Sequence, residues 1–165
     1  MFRKMRRSRQ QLSTAETIHI LESATSGVLA VSGDEGYPYA VPLSHVLKGD
    51  RLFFHVAKEG HKLDGILRND RVSFCVIAQD QVMPKTFSTR YRSVIVFGRA
   101  RVLTEDAERR YALECLVEKY SPGFIEEGQR EIERDWDRVC LVEVKIEHMT
   151  GKTAKELVEN SPAAS

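Results

Sequence analysis

The sequence predicts a mainly β protein: an antiparallel sheet of about six strands, closed into a small barrel, with three or four flanking helices outside it. Three observations carry this expectation. Short apolar or alternating runs are separated by tight turns, such as Gly33-Asp34-Glu35-Gly36 and Lys48-Gly49-Asp50. Strand and helix patterns do not alternate as βαβ units do, which argues against a parallel sheet. The 165 residues, 42% hydrophobic and 30% charged, suffice for one core and contain no repeat and no Gly/Ser/Pro-rich linker, so residues 1–165 read as a single domain.

Each element has its own signal. Ser13-Thr14-Ala15-Glu16 has the spacing of a capping box ahead of Ile18, Ile20, Leu21 and Ala24, which predicts a helix over 14–24. Residues 27–32, 37–47 and 51–57 read as three strands of an antiparallel meander. Pro38 and Pro42 have no N–H for a ladder and mark the second strand as an edge or a bulge. Leu63, Ile66 and Leu67 predict a short helix over 61–69. Residues 72–78 read as a buried strand, 79–89 as a loop without period, and 91–103 as a strand long enough to bend around a barrel. Thr104 is the expected N-cap of a helix reaching about Tyr120, which Ser121-Pro122-Gly123 stops. Residues 126–137 read as a charged helical excursion on the surface and 139–146 as the last strand. Residues 1–9 read as a basic tail and residues 160–165 as a disordered one.

Composition narrows the function classes. A net charge of +1 argues against a nucleic-acid partner. The cluster Arg3, Lys4, Arg6, Arg7 and Arg9 is the exception; it reads best as a solvated tail, and alternatively as a local anion-binding arm. No apolar run approaches the roughly 20 residues of a membrane helix, and none of signal-peptide length follows the basic start, so a cytoplasmic protein without a membrane partner is expected. Cys75, Cys115 and Cys140 form an odd set without CxxC spacing, which argues against disulfides and zinc; Cys75 and Cys140 lie in apolar runs and are expected buried and reduced. His19, His45 and His148 share no metal-ligand spacing, and no metal site is expected. There is no G-x-S-x-G elbow and no GxGxxG between a strand and a helix, which disfavours a serine hydrolase and a Rossmann site.

The richest stretch is 53–64. A strand ends, a glycine loop follows, and a helix starts at His61-Lys62. Unpaired N–H groups at a helix start carry partial positive charge, and with Lys62, a protonated His61 and Lys58 they would suit a phosphate monoester. On this feature alone a solvated loop is the better reading. His55 ends an apolar strand; by default it is a core or rim residue, and beside a ligand at the barrel mouth it would be a donor or general acid. Val94, Ile95, Val96 and Phe97 make both faces of their strand apolar, so one face fills the barrel and the other calls for a partner barrel, hence a homodimer.

The ordered runs Gly36-Tyr37-Pro38-Tyr39-Ala40-Val41-Pro42-Leu43, Phe54-His55-Val56-Ala57-Lys58-Glu59-Gly60-His61-Lys62-Leu63-Asp64, Val72-Ser73-Phe74-Cys75-Val76 and Tyr91-Arg92-Ser93-Val94-Ile95-Val96-Phe97-Gly98-Arg99-Ala100 resemble the flavoproteins of the pyridoxamine 5′-phosphate oxidase-like superfamily. More narrowly, they resemble its nitroimidazole-resistance-related (Nim) branch, from about residue 10 to the Met149-Thr150-Gly151-Lys152 run near residue 155. The resemblance implies an FMN-binding split β-barrel, with FMN as cofactor and two sites at the interface of a homodimer. Carried over by position, the Tyr39–Ser44 strand lies along the isoalloxazine, with Val41, Pro42, Leu43 and Ser44 at the cofactor. His55, Val56 and Ala57 lie near the ring and ribityl chain, His61 and Lys62 hold the phosphate, and Ser93 reaches across from the partner subunit. The Nim-type histidine tied to activity falls on His55, the implied catalytic residue.

The true oxidases of the superfamily carry arginine where this chain has Tyr39 or its neighbours and His61. They also carry a C-terminal substrate motif not found here, so oxidation of pyridoxamine phosphate is not implied. The expected function is FMN-dependent reduction of a small-molecule substrate, an electron-poor compound such as a nitroimidazole. The alternative is a non-catalytic flavin- or haem-binding protein. The sequence names neither the physiological substrate nor the electron donor.

Overall fold

A computed structural model describes residues 1–159; the expected disordered tail, 160–165, lies outside the described residues. Helix α1 (Thr14–Ser23) starts at the expected place, because the Ser13 hydroxyl accepts the Glu16 N–H while the Glu16 carboxylate accepts the Ser13 N–H. Then come β1 (Gly27–Ser32), β2 (Pro38–Leu43), β3 (Val46–Lys48), β4 (Arg51–Ala57), α2 (His61–Arg68), β5 (Arg71–Met83) and β6 (Ser88–Val102). Helices α3 (Asp106–Tyr120) and α4 (Ile125–Asp135), strand β7 (Val139–Thr153) and α5 (Lys155–Glu159) complete the described chain.

The strands form one antiparallel sheet in the order β2-β1-β5-β6-β7-β4-β3. There are seven strands rather than about six, and no ladder joins β2 to β3 among the described residues, so the sheet is a barrel left open along one seam. The sheet nevertheless wraps a single interior. Leu29 and Val31 of β1, Leu47 of β3, Leu52, Phe54 and Val56 of β4, Phe74 and Val76 of β5, Val94 and Val96 of β6, and Val142 and Val144 of β7 share one buried cluster. Tyr39, Val41 and Leu43 of β2 pack against the same cluster. This mainly β fold with flanking helices is the split barrel.

The seam explains the first departure from expectation. Residues 37–47 are not one strand. Pro38 and Pro42 do sit on an edge, since β2 pairs with β1 alone. The chain then crosses at Ser44-His45 to the opposite edge of the sheet and enters β3. Helix α2 bridges the gap, leaving the end of β4 and packing on β1 and β2. A second cluster covers the outer face of β3, β4 and β7: Val46, Phe53 and Leu141 against Leu113, Leu116 and Cys115 of α3 and Ile132 of α4.

The expected loop 79–89 is instead a two-stranded ribbon, with Gln79 opposite Arg92 and Met83 opposite Ser88. It buries neither face, β5 there being mostly exposed and β6 half-buried throughout, so its residues carry no inside–outside alternation to read. A one-turn 3-10 segment, Pro84–Thr86, closes it, followed by Phe87 in a left-handed conformation (φ 50°). Strand β7 runs to Thr153, well past residue 146, because its second half pairs with β6 across a bulge between Phe97 and Gly98. A Cβ at Gly98 would lie 2.4 Å from the Lys145 carbonyl oxygen, so only glycine allows this approach. Thr104 does not cap α3; Glu105 occupies the N-cap without a side-chain bond. Cys115 is buried, whereas Cys75 and Cys140 are half-buried, and all three are free.

Residues 1–9 are exposed apart from half-buried Met5, and contacts at either end tie the segment to β7. Phe2 stacks on His148 with 4.7 Å between ring centroids, and residues 8–10 make a 3-10 turn. Gln11 bridges to Lys152, and the Leu12 N–H donates to the Gly151 carbonyl at 3.0 Å.

Candidate functional site

Helix α2 supplies the first half of the site. Gly60 precedes it at φ 126°, a left-handed-side conformation that frees the turn from β4 into the helix. The Leu63 and Asp64 amides bond back to the Gly60 carbonyl, which leaves the His61 and Lys62 N–H groups as the free donors of the first turn. No ion pair engages Lys58 or Lys62 among the described residues. A phosphate monoester fits this end of α2: two free amides, the positive end of the helix and two uncommitted ammonium groups.

His61 is placed differently from expectation. Its ring stacks on Tyr39 with 4.1 Å between centroids. Its Nε2 lies 3.4 Å from the Asp34 carboxylate and 3.4 Å from the Asp34 N–H. Asp34 is also bound by Arg68 at 2.8 Å, and the Arg68 hydrogen bond, followed by His61, holds its carboxyl below the usual range. His61 thus ties the 33–37 turn to α2, which leaves Lys62 and the first amides of α2 as the uncommitted donors there.

Strand β4 supplies the second half. Its alternation puts Leu52, Phe54 and Val56 in the interior and Arg51, His55 and Ala57 outside. His55 therefore faces away from the barrel interior, towards α3 and α4. The β3–β4 ladder begins at Val46 opposite Phe53, and Ser44 lies two residues before it on the crossing from β2. Ser44 and His55 line one end of a cleft of about 500 Å³. Leu113, Leu116 and Val117 of α3, Ile132 of α4 and Val139 form its aliphatic walls. Glu131, Asp135 and Tyr120 also line it. Val56, by contrast, is buried in the core, and Val41 and Leu43 pack against that core, so these contribute backbone rather than side chain to any ligand at the seam.

Ser93 lies apart. It sits on β6 between Ile77 of β5 and Lys152 of β7, with Ile95 and Phe97 on the same outward face. Within one chain, β1 and β5 separate it from β2, and β7 separates it from β4.

A part-buried polar cluster holds the Ser44-His45 crossing in place. The Tyr120 hydroxyl accepts the His45 N–H at 2.9 Å and lies 2.6 Å from the Thr25 carbonyl oxygen. The Lys119 ammonium donates to the carbonyls of Ala24 at 2.6 Å and His45 at 2.9 Å. Burial lowers the Lys119 pKa. Sequence reasoning missed Lys119, Tyr120 and the cleft walls, whose only signal is the apolar spacing of Leu113, Leu116 and Val117. Among the described residues no group of three or more His, Cys, Asp or Glu side chains is placed to hold a metal, and no helix is long and apolar enough to cross a membrane.

Several solved structures share this architecture. A candidate 5-nitroimidazole antibiotic resistance protein from Bacteroides thetaiotaomicron is 22% identical, over 87% of this chain and 86% of that one, with a TM-score of 0.72. An FAD-binding protein from Mesorhizobium loti is 23% identical over 88% and 96% of the two chains, with a TM-score of 0.63. An FAD and haem binding protein from Mycobacterium smegmatis is 24% identical over 88% and 74%, with a TM-score of 0.74. At these identities the likeness speaks for the fold. No curated protein matches the sequence. The family model for pyridoxamine 5′-phosphate oxidase matches residues 13–153, from the N-cap of α1 to the end of β7. The chain belongs to the pyridoxamine 5′-phosphate oxidase family.

Proposed function

We propose that the protein is a homodimeric, FMN-dependent reductase of small electron-poor compounds such as nitroimidazoles. The observation that carries this reading is that Ser44, at the crossing that follows β2, and His55, near the end of β4, both line one aliphatic cleft. Lys62 and the first amides of α2 would hold the FMN phosphate, and the backbone of 41–44 would lie along the ring. Bound FMN supplies the redox chemistry. His55 donates a proton to the substrate, and the walls of Leu113, Leu116 and Ile132 keep water from its apolar face. Reducing a nitro group to an amine takes six electrons and six protons and releases two waters. The six electrons come from three equivalents of a reduced nicotinamide dinucleotide, two from each.

Dimerisation belongs to the same reading. Ile77 is 67% exposed and Ile95 41% exposed around Ser93, an outward apolar face that a second copy would cover. Ser93 would then reach the partner's flavin. Three free thiols suit a reducing compartment, and we place the protein in the cytoplasm.

The test is an absorption spectrum of the purified protein followed by turnover. A flavin spectrum bleached by NAD(P)H and restored by a nitroaromatic supports the reading. A second reading, non-catalytic binding of flavin or haem, draws on the fold shared with the FAD and haem binding protein. A haem spectrum, or flavin reduced without reoxidation by any nitroaromatic, would favour it.

A further inference from the structure

We propose that the basic segment 6–10 forms a second anion site, for a phosphorylated small molecule of nucleotide type other than the flavin. This does not depend on the reductase reading. Docking of Gln11 and Leu12 against β7 brings Arg6, Arg7, Arg9 and Lys155 around a cleft of about 510 Å³. No carboxylate engages the guanidinium groups of Arg6, Arg7 or Arg9 among the described residues, so three fixed positive charges gather without compensation. Guanidinium forks match phosphate oxygens in geometry and charge.

The second observation is independent of charge. Gln10 lines the same cleft although it is only 7% exposed, and its Oε1 is buried without a donor. Arg92 Nε and Thr153 Oγ1, on residues that face each other across the β6–β7 ladder next to Lys152, are also buried without a partner, although neither residue lines the cleft. Thr153 is 4% exposed. Three of the four buried side-chain atoms without a partner among the described residues thus collect where Gln11 bridges to Lys152. Folded proteins leave few such atoms, and each asks for an explanation. A solvated tail does not account for them. A ligand bearing a phosphate for the arginines and a hydroxyl or amino donor for the Gln10 oxygen would account for the orphan that lines the cleft, and a nucleotide carries both.

The test titrates flavin-loaded protein with adenosine diphosphate and with inorganic pyrophosphate by calorimetry. Saturable binding of both is expected. Arg6→Gln/Arg7→Gln/Arg9→Gln, confined to exposed side chains, should weaken both by about tenfold or more with flavin content unchanged. Gln10→Met keeps the charges and removes the amide; it should weaken adenosine diphosphate about threefold or more and leave pyrophosphate alone. Absent binding, or equal affinity in the triple variant, overturns the proposal. So does unchanged nucleotide affinity in Gln10→Met, which would reduce the arginines to a loose charged patch. Loss of flavin in step with the triple variant also overturns it, because the arginines would then serve the flavin's own phosphate.

Discussion

The Nε2 of His45 lies 2.9 Å from the Leu21 carbonyl oxygen, on a side chain with no exposed surface. The neutral ring donates from Nε2, and Nδ1 is buried without a partner. Burial, reinforced by the nearby Lys119 ammonium, pushes the His45 pKa down to about 4. An unfolded chain takes up this proton near pH 6.5, so between these values the unfolded state binds more protons than the folded one. The stabilisation is complete above about pH 6.5, falls as the pH drops towards 4, and changes no further below that. It amounts to about 3 kcal/mol. Urea unfolding at pH 7 and pH 4 should show this loss, and His45→Gln, which keeps a donor for Leu21, should flatten the dependence. An equal slope in the variant would assign the acid sensitivity to other groups.

Lys62 and Lys58 differ in place rather than in charge. Lys62 belongs to the first turn of α2, while Lys58 lies in the preceding loop. Lys62→Ala should weaken FMN binding by about 1.5–3 kcal/mol, as loss of a charge-assisted hydrogen bond does, and Lys58→Ala by less. Fluorescence titration of FMN decides, and equal affinities would remove the phosphate from the end of α2.

The outward face of β6 should be an interface. Ile77 lies opposite Ser93 on the neighbouring strand and Ile95 two residues beyond Ser93 on β6, both exposed and apolar. Ile77→Glu/Ile95→Glu should convert a dimer to a monomer in light scattering and lower flavin occupancy with it, if Ser93 reaches the partner's site. A wild-type monomer that retains FMN would contradict the interface.

His55 is exposed on the outer face of β4, so its removal should spare the fold. His55→Ala should keep its flavin and lose about 10²–10⁴ in nitroreduction rate, the usual worth of a positioned acid or base. Occupancy and turnover measured on one preparation separate this from a packing role. Unchanged turnover per bound flavin would make the residue structural.

Local chemistry was legible in the sequence wherever its partners are near in the chain. The Ser13–Glu16 box, the turns at 33–36 and 48–50, the edge position of Pro38 and Pro42, and the first residue of α2 all rest on contacts within a few residues. So does the inward alternation of Val94 and Val96. The family's ordered motifs were legible for the same reason, as short runs. The seam was not, because nothing in residues 37–47 says that the chain leaves one edge of the sheet and enters the other. That crossing depends on Tyr120, whose hydroxyl meets the His45 N–H across 75 positions of sequence. The ribbon 79–92 was missed because a strand pair that buries neither face carries no burial pattern. Likewise, His55 could be named from its neighbours, but its outward aim and its cleft required α3 and α4 to fold back over β4. Side-chain periodicity records which face of an element is buried; only the packing of distant elements determines what that face meets.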